Sequence, residues 1–323
     1  MNLVGCPGRG LLILMYHGIG RPRFSEPAIM VSEENFERQL GYLLRRYRVL
    51  SLEDGVELLE RGLEPPRNNV VLTFDDGYRD NYEKAFPLLK KYGCPATIFV
   101  ATEPLATGHA LWPNRLYFWC AATKASELRL RPDDSTDDTR VFQLQTARRR
   151  RRAFYAMKSL LINLDRVRRD ALLKKIAAGL GFDADSDPFN GALMLTWDQI
   201  KEMADAGIGI GSHTLTHPVL STLRPDDAAR ELTQSKEILE RKLNRPITLF
   251  AYPFGGRKHF NPAIEVLTQR AGYRAACSTI RGANRPGVNR FALLRTYVRD
   301  EPTPIFALRL LWASLQRSPV PGE

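Results

Sequence analysis

Two short stretches concentrate the groups in this chain that can do chemistry. In Val70-Val71-Leu72-Thr73-Phe74-Asp75-Asp76-Gly77-Tyr78, a β-branched apolar run ends in two adjacent carboxylates and a glycine. Neighbouring residues on a regular strand point to opposite faces. Asp75 and Asp76 therefore share a pocket only if the strand stops there and the chain turns at Gly77. In Gly211-Ser212-His213-Thr214-Leu215-Thr216-His217-Pro218, two histidines stand four apart. That spacing places two imidazoles on one face of a helical turn, where they can converge on one metal ion. Each stretch alone has an ordinary reading, as a surface turn or as two unrelated loop histidines. The chain holds only five histidines, however, and two of them fall in this pair.

The stretches complete each other chemically. One carboxylate and two imidazoles supply three ligands to a divalent ion and leave a position open for water and substrate. The second carboxylate is then free to serve as general base. Such an ion lowers the pKa of water from 15.7 toward about 7 and polarises a substrate carbonyl. The reaction class is metal-assisted hydrolysis.

Groups so far apart in sequence need a framework that gathers strand ends. The runs Leu11–Tyr16, Val70–Phe74, Ala96–Ala101, Ile208–Ser212, Ile247–Tyr252, Arg274–Thr279 and Leu293–Val298 read as buried strands, with Arg48–Ser51 a weaker eighth. Helical apolar spacing occupies Glu33–Tyr47, Tyr82–Tyr92 and Asp226–Leu243 between them. Strands alternating with helices predict an α/β fold, a distorted (β/α) barrel of seven or eight parallel strands with catalytic groups at the strands' C-terminal edge. The whole chain, 1–323, reads as one barrel domain. A mostly helical insertion without strands is expected at about 104–193, placed to cap the site, with a C-terminal amphipathic tail at about 302–323.

The formal charge is +11, but it is not spread evenly. Residues 147–182 hold eleven lysines and arginines against two aspartates, which leaves about +2 for the rest of the chain. These residues read as basic amphipathic helices. They are either a solvated face or a surface for anionic lipid head groups or the diphosphate of a lipid-linked sugar. No recognised nucleic-acid motif accompanies them, and no nucleic-acid partner is expected. The cysteines Cys6, Cys94, Cys120 and Cys277 are scattered without a C-x-x-C pair, which excludes a disulfide framework and a zinc-finger spacing. Leu11–Tyr16 reads as a first strand rather than a signal peptide, so the expected location is cytoplasmic, peripheral at the inner membrane face.

Thr73-Phe74-Asp75-Asp76-Gly77 and His213-Thr214-Leu215-Thr216-His217 resemble the first two motifs of the polysaccharide deacetylases, carbohydrate esterase family 4, also called the nodulation-type chitooligosaccharide deacetylase domain. The resemblance extends over Leu11–Thr102 and Leu195–Val298. It implies hydrolysis of N-acetyl groups on amino sugars with zinc or a similar divalent ion, Asp75 as base, and Asp76, His213 and His217 as metal ligands. It also implies an oxyanion contact from the backbone N–H of Phe254. The later motifs depart from the pattern. Ala251 stands where the family places an arginine that orients the base, so Arg295 and Arg257 are the candidates to replace it, by elimination. Arg295 also stands where a catalytic histidine is expected, leaving the general acid unassigned. His17, after the first strand, is a substitute for that acid, a substrate contact, or a structural residue. His109 and His259 read as loop residues.

Tyr16-His17 and Ala251-Tyr252-Pro253-Phe254-Gly255 further resemble deacetylases of bacterial exopolysaccharide or cell-envelope glycan pathways. The implied partner is an N-acetylated glycan or a lipid-linked amino sugar. Two other readings stay open: a related amide hydrolase, such as a deformylase of a lipid-linked amino sugar or a cyclic-imide hydrolase, and a weakly active carbohydrate-binding protein on the same fold.

Overall fold

The computed structural model of the chain describes residues 10–20, 26–65, 68–132 and 138–316. Cys6, part of the polar stretch near Pro132 and the end of the C-terminal tail lie outside them. Among the described residues the strands are β1 (Leu12–Tyr16), β2 (Gly18–Ile19), β3 (Met30–Val31), β4 (Arg48–Leu50), β5 (Asn69–Phe74), β6 (Thr97–Val100), β7 (Glu127–Leu130), β8 (Arg140–Gln143), β9 (Gly209–Ser212), β10 (Leu249–Ala251), β11 (Ala275–Cys277) and β12 (Thr296–Tyr297).

The principal sheet runs β11-β10-β9-β6-β5-β1-β12, parallel throughout, with β4 alongside β5. A parallel bridge from Cys277 to Leu293 joins β11 to the segment entering β12 and closes the circuit. All eight expected strands are therefore present in a distorted barrel. The distortion has a visible source: β4 pairs with the first half of β5 at Asn69, Val70 and Val71, whereas β6 pairs only with its end, at Thr73 and Phe74.

Alternation along the strands assigns residues to the two faces. Leu11, Ile13, Val71, Phe99, Leu249, Ala251, Ala275, Cys277 and Leu293 form one buried cluster that fills the barrel, stoppered by Leu52, Val56 and Leu59 of the helix Leu52–Glu60. The opposite parity, including Leu12, Leu14, Leu72, Phe74, Ile98 and Phe250, packs outward against the surrounding helices. Carried on from Ile13 and Val71 by four residues and from Leu293 by two, the inward parity reaches His17, Asp75 and Arg295 at the C-terminal edge.

The insertion has its own core, with Trp119, Leu128, Phe154, Met157, Leu172 and Ile176 buried together. It consists of the helices Trp112–Ala122, Ala147–Leu161 and Arg166–Leu180 and the antiparallel hairpin β7–β8. The hairpin corrects the expectation of an insertion without strands. Leu128 and Leu130 are buried while Arg129 is exposed, so the period of two is present, but charged residues mask it over only four positions per strand. The C-terminal helix Thr303–Leu315 buries Phe306, Leu310 and Ala313 against the barrel. Cys94, Cys120 and Cys277 are buried free thiols, and burial raises each to about 12. None of the described helices is long and apolar enough to cross a membrane.

Candidate active site

β5 ends at Phe74, and the next residues leave strand geometry. The Asp75 N–H still donates to the Tyr16 carbonyl at 3.0 Å. Asp76 and Gly77 then take φ of 75° and 76°, the left-handed region. That turn brings both carboxylates into one cleft. Apart from three asparagines, the non-glycine residues with positive φ among those described are Asp76, Thr214, His217 and Phe254. All four belong to this site, and left-handed threonine, histidine and phenylalanine are costly enough to persist only where surrounding structure imposes them.

The two histidines converge by a route other than the expected helical turn. Residues 213–217 form an irregular loop with left-handed Thr214 and His217, and Pro218 prevents a helix from continuing. The loop is pinned by Glu231, whose carboxylate accepts the N–H groups of Leu215 and Thr216 at 2.9 Å each and the Thr216 hydroxyl at 2.7 Å. Glu231 had no signal in the sequence beyond its place on an amphipathic helix.

Asp76 Oδ1 lies 3.4 Å from His213 Nε2 and 3.1 Å from His217 Nε2. Among the described residues these three form a group whose ligand atoms all lie within 4.8 Å of one another. Two ligands each bound to a tetrahedral ion at 2.0–2.1 Å stand roughly 3.4 Å apart, so the spacing fits a zinc-sized shell. The donor chemistry agrees. His213 Nδ1 is 2.7 Å from the Ala251 carbonyl, which fixes a proton there and turns Nε2 toward the carboxylate. Two imidazole nitrogens and a carboxylate oxygen brought this close are a donor set suited to a shared cation. Burial pushes the Asp76 carboxyl up, but the two imidazoles outweigh it and hold the group well below its ordinary value.

Asp75 is held by Arg295. Nη1 donates to Oδ1 and Nη2 to Oδ2, each at 2.7 Å, while Nε donates to the Ser278 carbonyl at 2.7 Å. Arg295 is fully buried inside the barrel with its guanidinium 5.7 Å from the Phe99 ring. Of the two arginines named as substitutes for the one absent at Ala251, Arg295 makes the contact, and Arg257 is exposed. Burial raises the Asp75 carboxyl, yet Arg295 and His213 pull it back below its usual value. With its fork committed in this way, Arg295 does not line the cleft.

The cleft has a volume of about 420 Å³ and is lined by His17, Asp75, Asp76, Tyr78, His213, His217 and Phe254, among others. His17 follows β1, and its carbonyl accepts Asn81 Nδ2 at 2.7 Å. Its Nδ1 is buried without a hydrogen-bond partner, and burial lowers its pKa against the upward pull of Asp76 and Asp75. The Phe254 ring stands 5.0 Å from His217 and 6.0 Å from Trp112. His259, read as a loop residue, accepts the Gly256 N–H on Nδ1 at 3.1 Å and braces the Phe254 loop. His109 is exposed outside the cleft.

Sequence reasoning did not single out several lining residues. Tyr78 is buried, and Asn114 of the insertion donates to its hydroxyl at 3.0 Å. Glu26 and Lys158, paired at 2.8 Å, close another side. Leu111, Pro113, Asn114 and Lys158 all come from the insertion, which therefore forms part of the cleft wall. Tyr78 adjoins the Asp-Asp-Gly motif, a signal that was available; Asn114 and Lys158 had none.

A parallel barrel with carboxylates and imidazoles gathered at its strand ends defines a (β/α)-barrel hydrolase. The polysaccharide deacetylase family model matches residues 62–131 and 133–276. The chain belongs to that family of hydrolases, which act on carbon–nitrogen bonds other than peptide bonds. The match runs through most of the insertion, beyond the two blocks on which the motif resemblance rested. The Bacillus subtilis protein YxkH, named for the same family, is 25% identical over 289 residues, spanning 89% of this chain and 71% of that protein. A poly-β-1,6-N-acetyl-D-glucosamine N-deacetylase of Staphylococcus epidermidis is 35% identical over 78 residues, 24% of this chain and 27% of its own length. The Streptococcus pyogenes deacetylase PplD, solved with acetate, superposes with a TM-score of 0.62 at 22% identity, covering 96% of this chain and all of that one. IcaB from Ammonifex degensii gives a TM-score of 0.60 at 20% identity over 96% and 98% of the two chains. These two likenesses establish the shared fold.

Proposed function

We propose that this chain is a metal-dependent N-deacetylase that hydrolyses the acetamido group of an amino sugar in an N-acetylated glycan, polymeric or lipid-linked. The observation that carries the reading is Asp75, locked by Arg295, beside the Asp76–His213–His217 group in one cleft. Asp76, His213 and His217 would hold a divalent ion such as zinc, which would supply a Lewis acid for the acyl carbonyl and acidify water beside it. Asp75 takes the proton from the attacking water. Its depressed pKa keeps it ionised at neutral pH, and the Arg295 fork leaves one lone pair of each oxygen for the cleft. The Phe254 backbone N–H is assigned to the developing oxyanion. The proton held by Asp75 is then the nearest one for the departing amine. His17, kept neutral by burial, suits a hydrogen-bond contact with substrate better than proton donation.

The substrate for which the staphylococcal relatives are named, poly-β-1,6-N-acetyl-D-glucosamine, supports an amino-sugar polymer. We place the enzyme in the cytoplasm; the exposed Arg148, Arg149, Arg151 and Arg152 on the helix Ala147–Leu161 support peripheral contact with anionic lipid through 147–182.

The test is acetate release from N-acetylglucosamine oligomers by the wild-type chain and by Asp75→Asn. Loss of a general base predicts a fall in kcat of about 10²-fold or more. Unchanged turnover in Asp75→Asn contradicts the assignment. Formate release from an N-formyl analogue, with no acetate from the oligomers, favours the deformylase reading instead.

A further inference from the structure

A second, smaller cavity of about 160 Å³ lies on the other side of Leu111, which lines both it and the active-site cleft. Its wall is unusual in charge. Arg115, Arg166 and Arg169 face it, together with Trp112, Thr107 and Thr216. Two carboxylates also face it, Glu103 paired with Arg166 at 2.7 Å and Asp170 lying 3.5 Å from Arg166 and 3.2 Å from Arg169. Three guanidiniums and two carboxylates line it, with Asp187 acting on Arg115 from outside the lining.

Two donors are unanswered. Trp112 is 4% exposed, and its indole Nε1–H has no hydrogen-bond partner. Arg115 Nε is buried and equally without one, although Nη1 donates to the Ala184 carbonyl at 2.8 Å. A buried donor left unpaired is costly, and native structures rarely accept one without a reason. The cavity wall also packs beside the catalytic group. Thr216 precedes His217, and the Trp112 ring packs 6.0 Å from Phe254, which stands 5.0 Å from His217.

We propose that this cavity is a subsite for an oxyanion, the carboxylate or phosphate substituent of a sugar adjoining the one that is deacetylated. The inference rests on the glycan reading above and narrows it to an acidic glycan. Arg115 Nε and Trp112 Nε1 donate to the anion, and the Arg169 guanidinium, 5.8 Å from the Trp112 ring, supplies charge from one side. Burial lowers Arg115 from its ordinary value against Asp170 and Asp187, so an arriving anion stabilises the charged guanidinium. The cavity suits a substituent, with the sugar ring left in the larger cleft.

The test reads the pocket whether or not the chain deacetylates anything. The indole N–H resonance of Trp112, assigned by its disappearance in Trp112→Phe, is followed in the ¹⁵N-tryptophan-labelled chain. The chain carries Asp76→Asn to silence anion binding at the metal group. It is titrated with glucuronate, glucose 6-phosphate and neutral glucose. The proposal predicts saturable shifts with one or both anions and none with glucose, the tighter anion naming the substituent. It also predicts binding at least tenfold weaker in Arg115→Gln, with Arg166→Gln as a second variant should Arg115→Gln fail to fold. An unmoved Trp112 resonance, equal shifts with glucose, or undiminished anion binding in the folded variants overturns it.

Discussion

Arg295 and Asp75, 220 positions apart in the chain, meet through two parallel 2.7 Å hydrogen bonds, Nη1 to Oδ1 and Nη2 to Oδ2. The guanidinium is fully buried and its third anchor is the Ser278 carbonyl. Its place in the barrel follows from parity: Leu293, Arg295 and Tyr297 alternate with Leu294 and Thr296, and the odd-numbered set turns inward from the closing segment between β11 and β1. Asp75 is thus oriented from the residue that enters β12, with β11 alone between that segment and Ala251 of β10.

Because the lock is a planar fork, a lysine does not reproduce it. Arg295→Lys keeps the charge but frees Asp75 to swing, and misplacement of a reacting group by about 1 Å costs roughly 10²-fold. We expect kcat for acetate release to fall by about that factor with KM nearly unchanged. Arg295→Met should in addition cost about 3–5 kcal/mol of stability by stranding a buried carboxylate, measured by urea denaturation and partly recovered in the Asp75→Asn double variant. Full kcat in a folded Arg295→Lys contradicts the positioning role.

Glu231 touches none of the three candidate ligands, yet it holds the loop that presents both histidines. Supporting residues of this kind typically change metal affinity by about 10–100-fold. Glu231→Ala should weaken zinc binding within that range in a chelator competition, with the barrel still folded by circular dichroism. An unchanged affinity removes Glu231 from the support of the site.

Asp80 supplies a stability test independent of activity. Burial raises its carboxyl from 3.8 to about 7, against the Ile19 N–H and Lys84. The folded chain therefore holds this proton more tightly than the unfolded chain. The resulting stability is complete below about pH 4 and is lost as pH rises through about 7. In Asp80→Asn that loss is absent, so the Tm of the variant relative to wild type should rise between pH 4 and 8. A constant difference across that range contradicts the raised pKa.

Much of the fold was legible because parallel buried strands are continuous apolar runs: Leu12–Tyr16, Asn69–Phe74 and Thr97–Val100 each lie within a residue or two of the expected bounds. Within the site, the adjacency of Asp75 and Asp76 and the spacing of His213 and His217 pointed to a single centre. The backbone that unites them was not legible, because left-handed Thr214 and His217 are imposed by tertiary contacts such as Glu231 rather than by local propensity. Ala251 against Arg295 shows the same limit. The missing arginine could be noticed from the motif and Arg295 and Arg257 named by elimination, but the choice between them needed the register of the closing strand. Asn114 and Lys158 enter the cleft from an insertion whose packing on the barrel leaves no periodic trace.

The central claim is that Asp76, His213 and His217 hold an ion on which acetate release depends. The direct measurement is the rate of acetate release from N-acetylglucosamine oligomers by chelator-stripped chain, as zinc is added back in fractions of an equivalent. We predict negligible release without metal, a rise that saturates near one ion per chain, and no such rise in Asp76→Asn at the same zinc concentrations. Release that survives stripping, or that Asp76→Asn supports as well as the wild-type chain does, contradicts the account.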